Sequence, residues 1–344
     1  MWARLVLTLP STVPSTFQFV LIYSHYDQHR TFGNFTAPAE VTGIVTPHAT
    51  TPETDMGIVN RQSAYHVQRV SDSGDVDRDI YEAMRLYLTD LGISEQNANK
   101  RAAVELERRP ARGAVDAMVA AGISIEGKEV LDLGAGLGML SEELVLRGAK
   151  VTALEPGAAW ARITCRRVER HNKPFELLAG AYGEAIPRPS SSFDLVASLQ
   201  VLEHVQDPEK VLSEVWRVLR SGGHFYLACE NYLAFREGHY QVPWVPLMPK
   251  WLGAIYLRSV GRSPQFLREA VTYVTYPGIL RTCRKLGFVR HRDEQIVRSL
   301  KSKQGVKWAA MRMLRAVAGE SFFPWLDRTR LTFKFGVYEL FRKP

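Results

Sequence analysis

Between Asp132 and Gly138 the chain reads Asp-x-Gly-x-Gly-x-Gly, directly after the apolar run EVLDL. Glycines at this spacing let the backbone turn tightly and bring its amides against a ligand at the start of a helix. A dinucleotide turn would carry a third glycine where this chain has Met139. Two residues ahead of the first glycine stands an acid, Asp132, which would repel a pyrophosphate but not an ammonium group. Glu155 closes the next apolar run, KVTALE, where an acid accepts hydrogen bonds from two ribose hydroxyls. An adenosine carrying a methionine end fits these acids better than one carrying a diphosphate. The chain shows no carboxylate or histidine cluster at metal-ligand spacing, so no metal is expected. The run Ser190 to Ser192 has no base or triad context and reads as a polar loop.

These residues need elements to hold them. The segments EVLDLG, KVTALE, FDLVASL and HFYLACE have the composition of buried strands, and helical segments separate them. The longest of these helices is well marked. Asp207 caps it, Pro208 suits its first turn, and Val211, Val215, Val218 and Leu219 make its inward stripe. Gly222 and Gly223 are expected to end it. Alternation of this kind means an α/β fold, a mostly parallel sheet covered on both faces. Ligands on such sheets bind at the carboxyl ends of the strands.

The 344 residues, 46% hydrophobic, can bury one sizeable core with an added subdomain or tail. Residues 1–74 mix Thr, Pro and His with short apolar pieces, and read as a disordered tail or an extension from a mis-assigned start, with Met56 and Met84 as later starts. The apolar piece Phe17 to Tyr23 makes a poor signal peptide. Residues 75–126 form a helical lead-in: Ile80, Met84 and Tyr87 or Leu88 share a face, and a second helix from Glu95 is broken near Pro110. Residues 127–231 are the ligand-binding core, 232–275 an insertion over the strand ends, and 276–344 the closing part of the fold. Cys165, Cys229 and Cys283 lie far apart, which argues against a disulfide framework and fits a reducing, cytoplasmic setting. The 44 Lys+Arg exceed the 36 Asp+Glu by enough to favour an anionic partner without naming one.

From about Glu129 to Cys229 the chain resembles the class I S-adenosylmethionine-dependent methyltransferases, in particular the group that includes the ubiquinone and menaquinone biosynthesis enzymes. The resemblance rests on VLDLGAGLG, ALEP, GEAIPRPSSSFDLV and LQVLEHVQDPEKVLSEVWRVLRSGGHFYL, in that order. It implies a doubly wound, seven-stranded Rossmann-like sheet and S-adenosyl-L-methionine as cofactor. By the same resemblance Asp132, Gly134, Ala135 and Gly136 surround the methionine part and Glu155 holds the ribose. Tyr182, Gly183 and Glu184 lie along the adenine, and Leu199 and Gln200 lie near the sulfonium. Many relatives carry Asp at or beside the position of Tyr182, so here a backbone amide or stacking on Tyr182 would make the adenine contact.

The acceptor end is less determined. If the acceptor atom is a hydroxyl oxygen, His204, His239 or Tyr240 is the candidate base, since a neutral imidazole suits proton transfer near neutral pH. Glu203 reads as a structural acid, and Glu230 and Asn231 could face the acceptor. The stretch GHYQVPWVPLMP is too rich in proline and aromatics for a regular element and reads as an ordered lid. Beyond it, LTFKFGVYELFRKP alternates as an antiparallel edge strand would. Trp244, Leu247, Met248, Trp251, Ile255 and Tyr256 with Lys250 and Arg258, beside a helix bearing Trp308, Arg312 and Arg315, have the makeup of a surface touching anionic membranes.

The sequence thus points to O-methylation of a small or lipid-like molecule: a quinone precursor, a polyketide or a lipid-linked sugar. An RNA or protein methyltransferase is the second reading, although no nucleic-acid-binding signature is present. A non-catalytic regulatory or scaffold protein that binds the cofactor is the third.

Overall fold

The computed structural model describes residues 2–6, 19–24, 73–293, 295, 313, 319 and 321–344. Within the first 74 residues, read from sequence as a tail without regular elements, it describes two strands, β1 (Trp2–Val6) and β2 (Phe19–Ser24). The lead-in forms three helices: α1 (Val76–Asp90), α2 (Glu95–Leu106) and α3 (Arg109–Ala120). Asp75 caps α1 through the amides of Asp77 and Arg78. The break between α2 and α3 falls at Arg108, whose φ of 54° is left-handed, and places Pro110 in the first turn of α3, where its missing N–H costs no hydrogen bond.

The core then alternates: β3 (Glu129–Leu133), α4 (Met139–Leu146), β4 (Lys150–Glu155), α5 (Ala158–Glu169), β5 (Phe175–Ala179), β6 (Phe193–Leu199), α6 (Pro208–Val218) and β7 (Leu219–Cys229). The lid follows with a ribbon, β8 (Arg236–Glu237) and β9 (Val242–Pro243), then α7 (Lys250–Ser259) and α8 (Gln265–Glu269). Last come α9 (Tyr276–Leu286), β10 (Val289–Arg290), α10 (Phe322–Leu331) and β11 (Val337–Arg342). The sheet order is β1-β2-β5-β4-β3-β6-β7-β11-β10. Strands β2 through β7 run parallel in it, and β11 is antiparallel to both β7 and β10.

Four further sequence expectations change here. Helix α6 ends at Val218 rather than at the glycines, because Leu219 turns to extended backbone and pairs with Phe193. Strand β5 went unassigned in the sequence, although its run FELLA lies between β4 and β2. The closing strand β11 is not at the edge; the two-residue β10 lies outside it. The stretch GHYQVPWVPLMP, read as irregular, supplies β9 of a small antiparallel ribbon with β8.

Both faces of the sheet are covered. Val211, Val215 and Val218 of α6 and Ile279 and Leu280 of α9 pack into one apolar cluster, and Val115, Met118, Leu144 and Val168 of α3, α4 and α5 into the other. The lead-in is fastened to the core by buried ions. Arg167, fully buried, donates to Glu142 at 2.7 Å and to the Glu105 side chain at 3.0 Å. Glu142 also pairs with Arg108, Arg170 and His171. Burial alone would raise the Glu142 carboxyl, but hydrogen bonds from His171, Arg170 and Arg167 outweigh it and hold the pKa at about 2.

Candidate active site

A cavity of about 1400 Å³ opens at the carboxyl ends of the parallel strands, between the core, the lead-in helices and the lid. Asp132, Gly134, Ala135, Gly136, Glu155, Tyr182, Gly183, Glu184, Leu199 and Gln200 all line it. The ten positions expected at a cofactor therefore line one cavity.

The turn after β3 is set by close contacts. Gly134 has φ +76°, and a Cβ there would meet Val201 Cγ2 at 2.5 Å, so no larger residue fits without displacement. Gly136 has φ +57° and faces open space. Its amide donates to Glu155 Oε2 at 2.8 Å, and the Gly157 amide to Glu155 Oε1 at 2.7 Å. These bonds fix the Glu155 carboxylate across the turn. Asp132 is 1% exposed and accepts a 2.6 Å hydrogen bond from Ser141 Oγ. Burial pushes both acids up, each to about 7, against the hydrogen bonds that favour the charged form. Among the described residues neither acid has an ion-pair partner. Two buried acids without a cation favour a ligand that brings positive charge and hydroxyl donors, and oppose a diphosphate. An S-adenosylmethionine-like group, with its ammonium, sulfonium and ribose, fits this wall.

The same cavity is lined by His204, from the short turn after β6, and by His239, from the lid. The lid folds back so that their Nε2 atoms are 3.2 Å apart, with ring centroids 5.0 Å apart. His204 Nδ1 faces the carbonyl of Ala270 at 2.8 Å, which can only accept, so the proton sits on Nδ1 and Nε2 is bare. His239 Nδ1 faces the Glu237 carboxylate at 2.8 Å. Burial and the neighbouring His239 pull the His204 pKa down. Burial opposes charge on His239 too, but Glu237, then Glu230 and Glu203, outweigh it and raise its pKa. Phe266 stacks edge-on against His204, and Tyr87 against Phe266, which makes this part of the lining aromatic.

Tyr240 does not belong to the cavity wall. It is fully buried, and its hydroxyl accepts the Leu267 amide at 3.1 Å, so this candidate base is a packing residue. Glu230 lines the cavity, whereas Asn231 is used up in bracing, through Thr332, Lys334, Leu233 and Tyr276. The expectation of no metal-ligand cluster also changes. Glu203, His204 and His239 place one ligand atom each within 4.8 Å of one another. Their spacing in the chain hides this, because His239 belongs to the lid, 35 residues beyond His204. Sequence reasoning missed Arg101 of α2 in the same lining and Glu237 behind His239. The Glu-x-His spacing of the latter was the available signal.

The helix expected to carry Trp308, Arg312 and Arg315 lies outside the described residues. Of the lid residues paired with it, Trp244 and Met248 are core, while Leu247, Trp251 and Ile255 are exposed. Among the described residues no helix is long and apolar enough to cross a membrane.

Residues 131–227 match the family model described as "Methyltransferase domain". The chain is 36% identical over 112 residues to the ubiquinone biosynthesis O-methyltransferase of Pseudomonas putida, covering 32% of this chain and 47% of that protein. It is 34% identical over 116 residues to the protein of the same name from Marinobacter nauticus, with the same coverage. The match thus spans about half the length of these curated relatives. A solved S-adenosylmethionine-dependent methyltransferase from Mesorhizobium loti aligns with a TM-score of 0.42 and 17% identity, over 66% of this chain and 96% of that one. By its sequence, the segment 131–227 is similar to methyltransferase domains.

Proposed function

We propose that the chain is an S-adenosylmethionine-dependent methyltransferase that methylates an oxygen of a small, lipid-like molecule. One observation carries this reading: a single cavity is lined by two buried, cation-free acids and by a pair of imidazoles. When bound, the cofactor supplies a methyl group already activated by its positively charged sulfur. The protein's part is therefore alignment, which can supply roughly 7–11 kcal/mol. Asp132 would take the ammonium, Glu155 the ribose hydroxyls, and Tyr182, Gly183 and Glu184 the adenine edge. Leu199 and Gln200, at the end of β6, would border the reacting centre. Phe266, Tyr87, Tyr226 and Tyr338 give an apolar seat for the acceptor. His204 and His239 stand where an acceptor hydroxyl would give up its proton.

Calorimetry tests the reading. The parent protein should bind S-adenosylmethionine and not a nicotinamide dinucleotide, and vesicle-dissolved phenols should be methylated in a coupled turnover assay. Preference for the dinucleotide would reject it. Cofactor binding with no turnover on any hydroxylated acceptor would favour the scaffold reading.

The acceptor's source is part of the same proposal. Val245, Leu247, Trp251, Leu252 and Ile255 leave an exposed apolar surface on the lid, beside the exposed Arg258. Phe335 and Tyr338, both partly exposed, line the cavity itself. An apolar face bordered by positive charge suits reversible contact with anionic bilayers, from which a lipid-like acceptor would enter.

A further inference from the structure

We infer that Arg101 anchors the methyl acceptor through a carboxylate, so that the acceptor is an apolar hydroxy acid and not a neutral phenol. The inference rests on the methyltransferase reading and narrows it. Arg101, on α2, lines the cavity and is half-buried there. Its one hydrogen bond among the described residues is a long one, 3.5 Å from Nη1 to the His239 carbonyl. A guanidinium is a rigid fork of N–H donors that keeps its charge at neutral pH. Held largely out of water with most of that fork unused, it is costly unless an anion answers it.

The protein's own acids do not answer it. Glu230 and Glu237 are the carboxylates whose charge reaches Arg101, and among the described residues neither hydrogen-bonds to it. Glu237 is spent on His239 Nδ1 at 2.8 Å, the Tyr240 amide at 2.7 Å and the Tyr232 hydroxyl at 3.2 Å. Glu230 lies against the lid backbone, where a Cβ on Gly238 would meet its Oε1 at 2.0 Å. A planar carboxylate matches the guanidinium fork with two parallel hydrogen bonds. It also brings a single negative charge, whereas a phosphate dianion would set a second one near Glu230. The cofactor's methionine end offers a carboxylate too. Arg101, however, is coupled to the acids around His239 and not to Asp132 or Glu155, which puts it at the acceptor end. An acid group seated there keeps the rest of the acceptor within the aromatic lining of Tyr87 and Phe266, beside the two imidazoles.

The test is calorimetric binding of 3,4-dihydroxybenzoate and of its methyl ester to protein saturated with S-adenosylhomocysteine, followed by turnover of both with S-adenosylmethionine. The parent should bind the acid about 10–100-fold more tightly than the ester, the scale of a charge-assisted hydrogen-bonded pair. Arg101→Gln should lose that preference while binding the ester like the parent, and Arg101→Lys should recover part of it. Affinity for S-adenosylhomocysteine should be the same in all three proteins. Failure of the parent to bind the acid, or equal binding of acid and ester, would overturn the anchor. An equal loss of both in Arg101→Gln would overturn it as well, since that marks a structural role. Weakened S-adenosylhomocysteine binding in Arg101→Gln would assign the guanidinium to the cofactor's carboxylate instead. Acid bound through Arg101 but never methylated would keep the anchor and sink the methyltransferase reading; ester bound and methylated as well as the acid would do the reverse.

Discussion

At the cofactor end of the cavity, Asp132, Gly134, Gly136 and Glu155 come from one β–α–β unit whose strands are hydrogen-bonded neighbours. At the acceptor end, His204 and His239 meet across 35 residues of chain, one from a turn and the other from an inserted lid. The first site is fixed by backbone: two amides hold Glu155, and Val201 leaves Gly134 no room for a side chain. The second is fixed by side chains, with Glu237 and Ala270 turning the imidazoles and Phe266 packing against both. A local backbone site tolerates change around it, because its geometry follows from strand pairing. A side-chain site assembled from remote segments depends on every packing contact of the lid. The two ends should therefore fail independently.

The largest effect is expected at the acceptor end. His204→Gln or His239→Gln should cut the single-turnover rate by about 10²–10⁴-fold, the usual loss when a group that handles the acceptor proton is removed. Cofactor affinity should stay within a factor of a few, measured by calorimetry on the same samples. If either change weakens cofactor binding as much as turnover, the two ends are coupled and the comparison breaks.

Next comes the brace beneath the cofactor end. The Glu142 carboxyl lies at about 2, below its ordinary 4.5. A carboxyl lowered by folding contributes stability that is fully present above its unfolded value and is lost as pH falls through its folded one. The gap amounts to roughly 3 kcal/mol. Urea midpoints of the parent should therefore fall between pH 5 and pH 2. Glu142→Gln should be less stable at neutral pH, because Arg167 is left buried without its partner, and its midpoints should change less over the same range. A parallel slope in both proteins would remove Glu142 as the cause.

Smaller is the loss at the ribose acid. Glu155→Ala should weaken S-adenosylmethionine binding by about 1.5–3 kcal/mol, the scale of hydrogen bonds to a charged group. Turnover at saturating cofactor should be nearly retained. Unchanged affinity would mean that the backbone of the turn alone holds the ligand.

The same contrast explains what the sequence disclosed. The glycine turn, the Asp207 cap of α6 and the strand-end positions that line the cavity were legible because each follows from short-range periodicity or from an ordered motif. Strand β5 was missed because Glu176 interrupts a run of only five residues. The outer position of β10 was missed because register in a sheet is a tertiary property, invisible in two residues. At the acceptor end, Tyr240 looked as reactive as His239 beside it. Only packing shows that its hydroxyl is turned away to the Leu267 amide while Glu237 turns the imidazole into the cavity. The meeting of the two imidazoles was out of reach for the same reason: no spacing rule joins position 204 to position 239.

The smallest effect tests whether the exposed face of the lid serves the acceptor end. Trp251 is 65% exposed and Ile255 56%, one turn apart on α7. Lys250, beside them, spends its ammonium on the Val271 carbonyl, so Arg258 is the nearer charge for a lipid headgroup. Each basic side chain near an anionic surface is worth about 1 kcal/mol, and a partly inserted Trp adds a comparable apolar contribution. Binding to phosphatidylglycerol vesicles should therefore be weak, stronger at low salt, and reduced several-fold by Trp251→Ala. Flotation at two salt concentrations measures it. With a water-soluble phenol as acceptor, Trp251→Ala should turn over like the parent, since the side chain lies outside the cavity wall. With a vesicle-borne acceptor the variant should be slower. If the parent stays with the soluble fraction at low salt, the lid's outer face has no part in delivering the acceptor, and the site is confined to its inner wall.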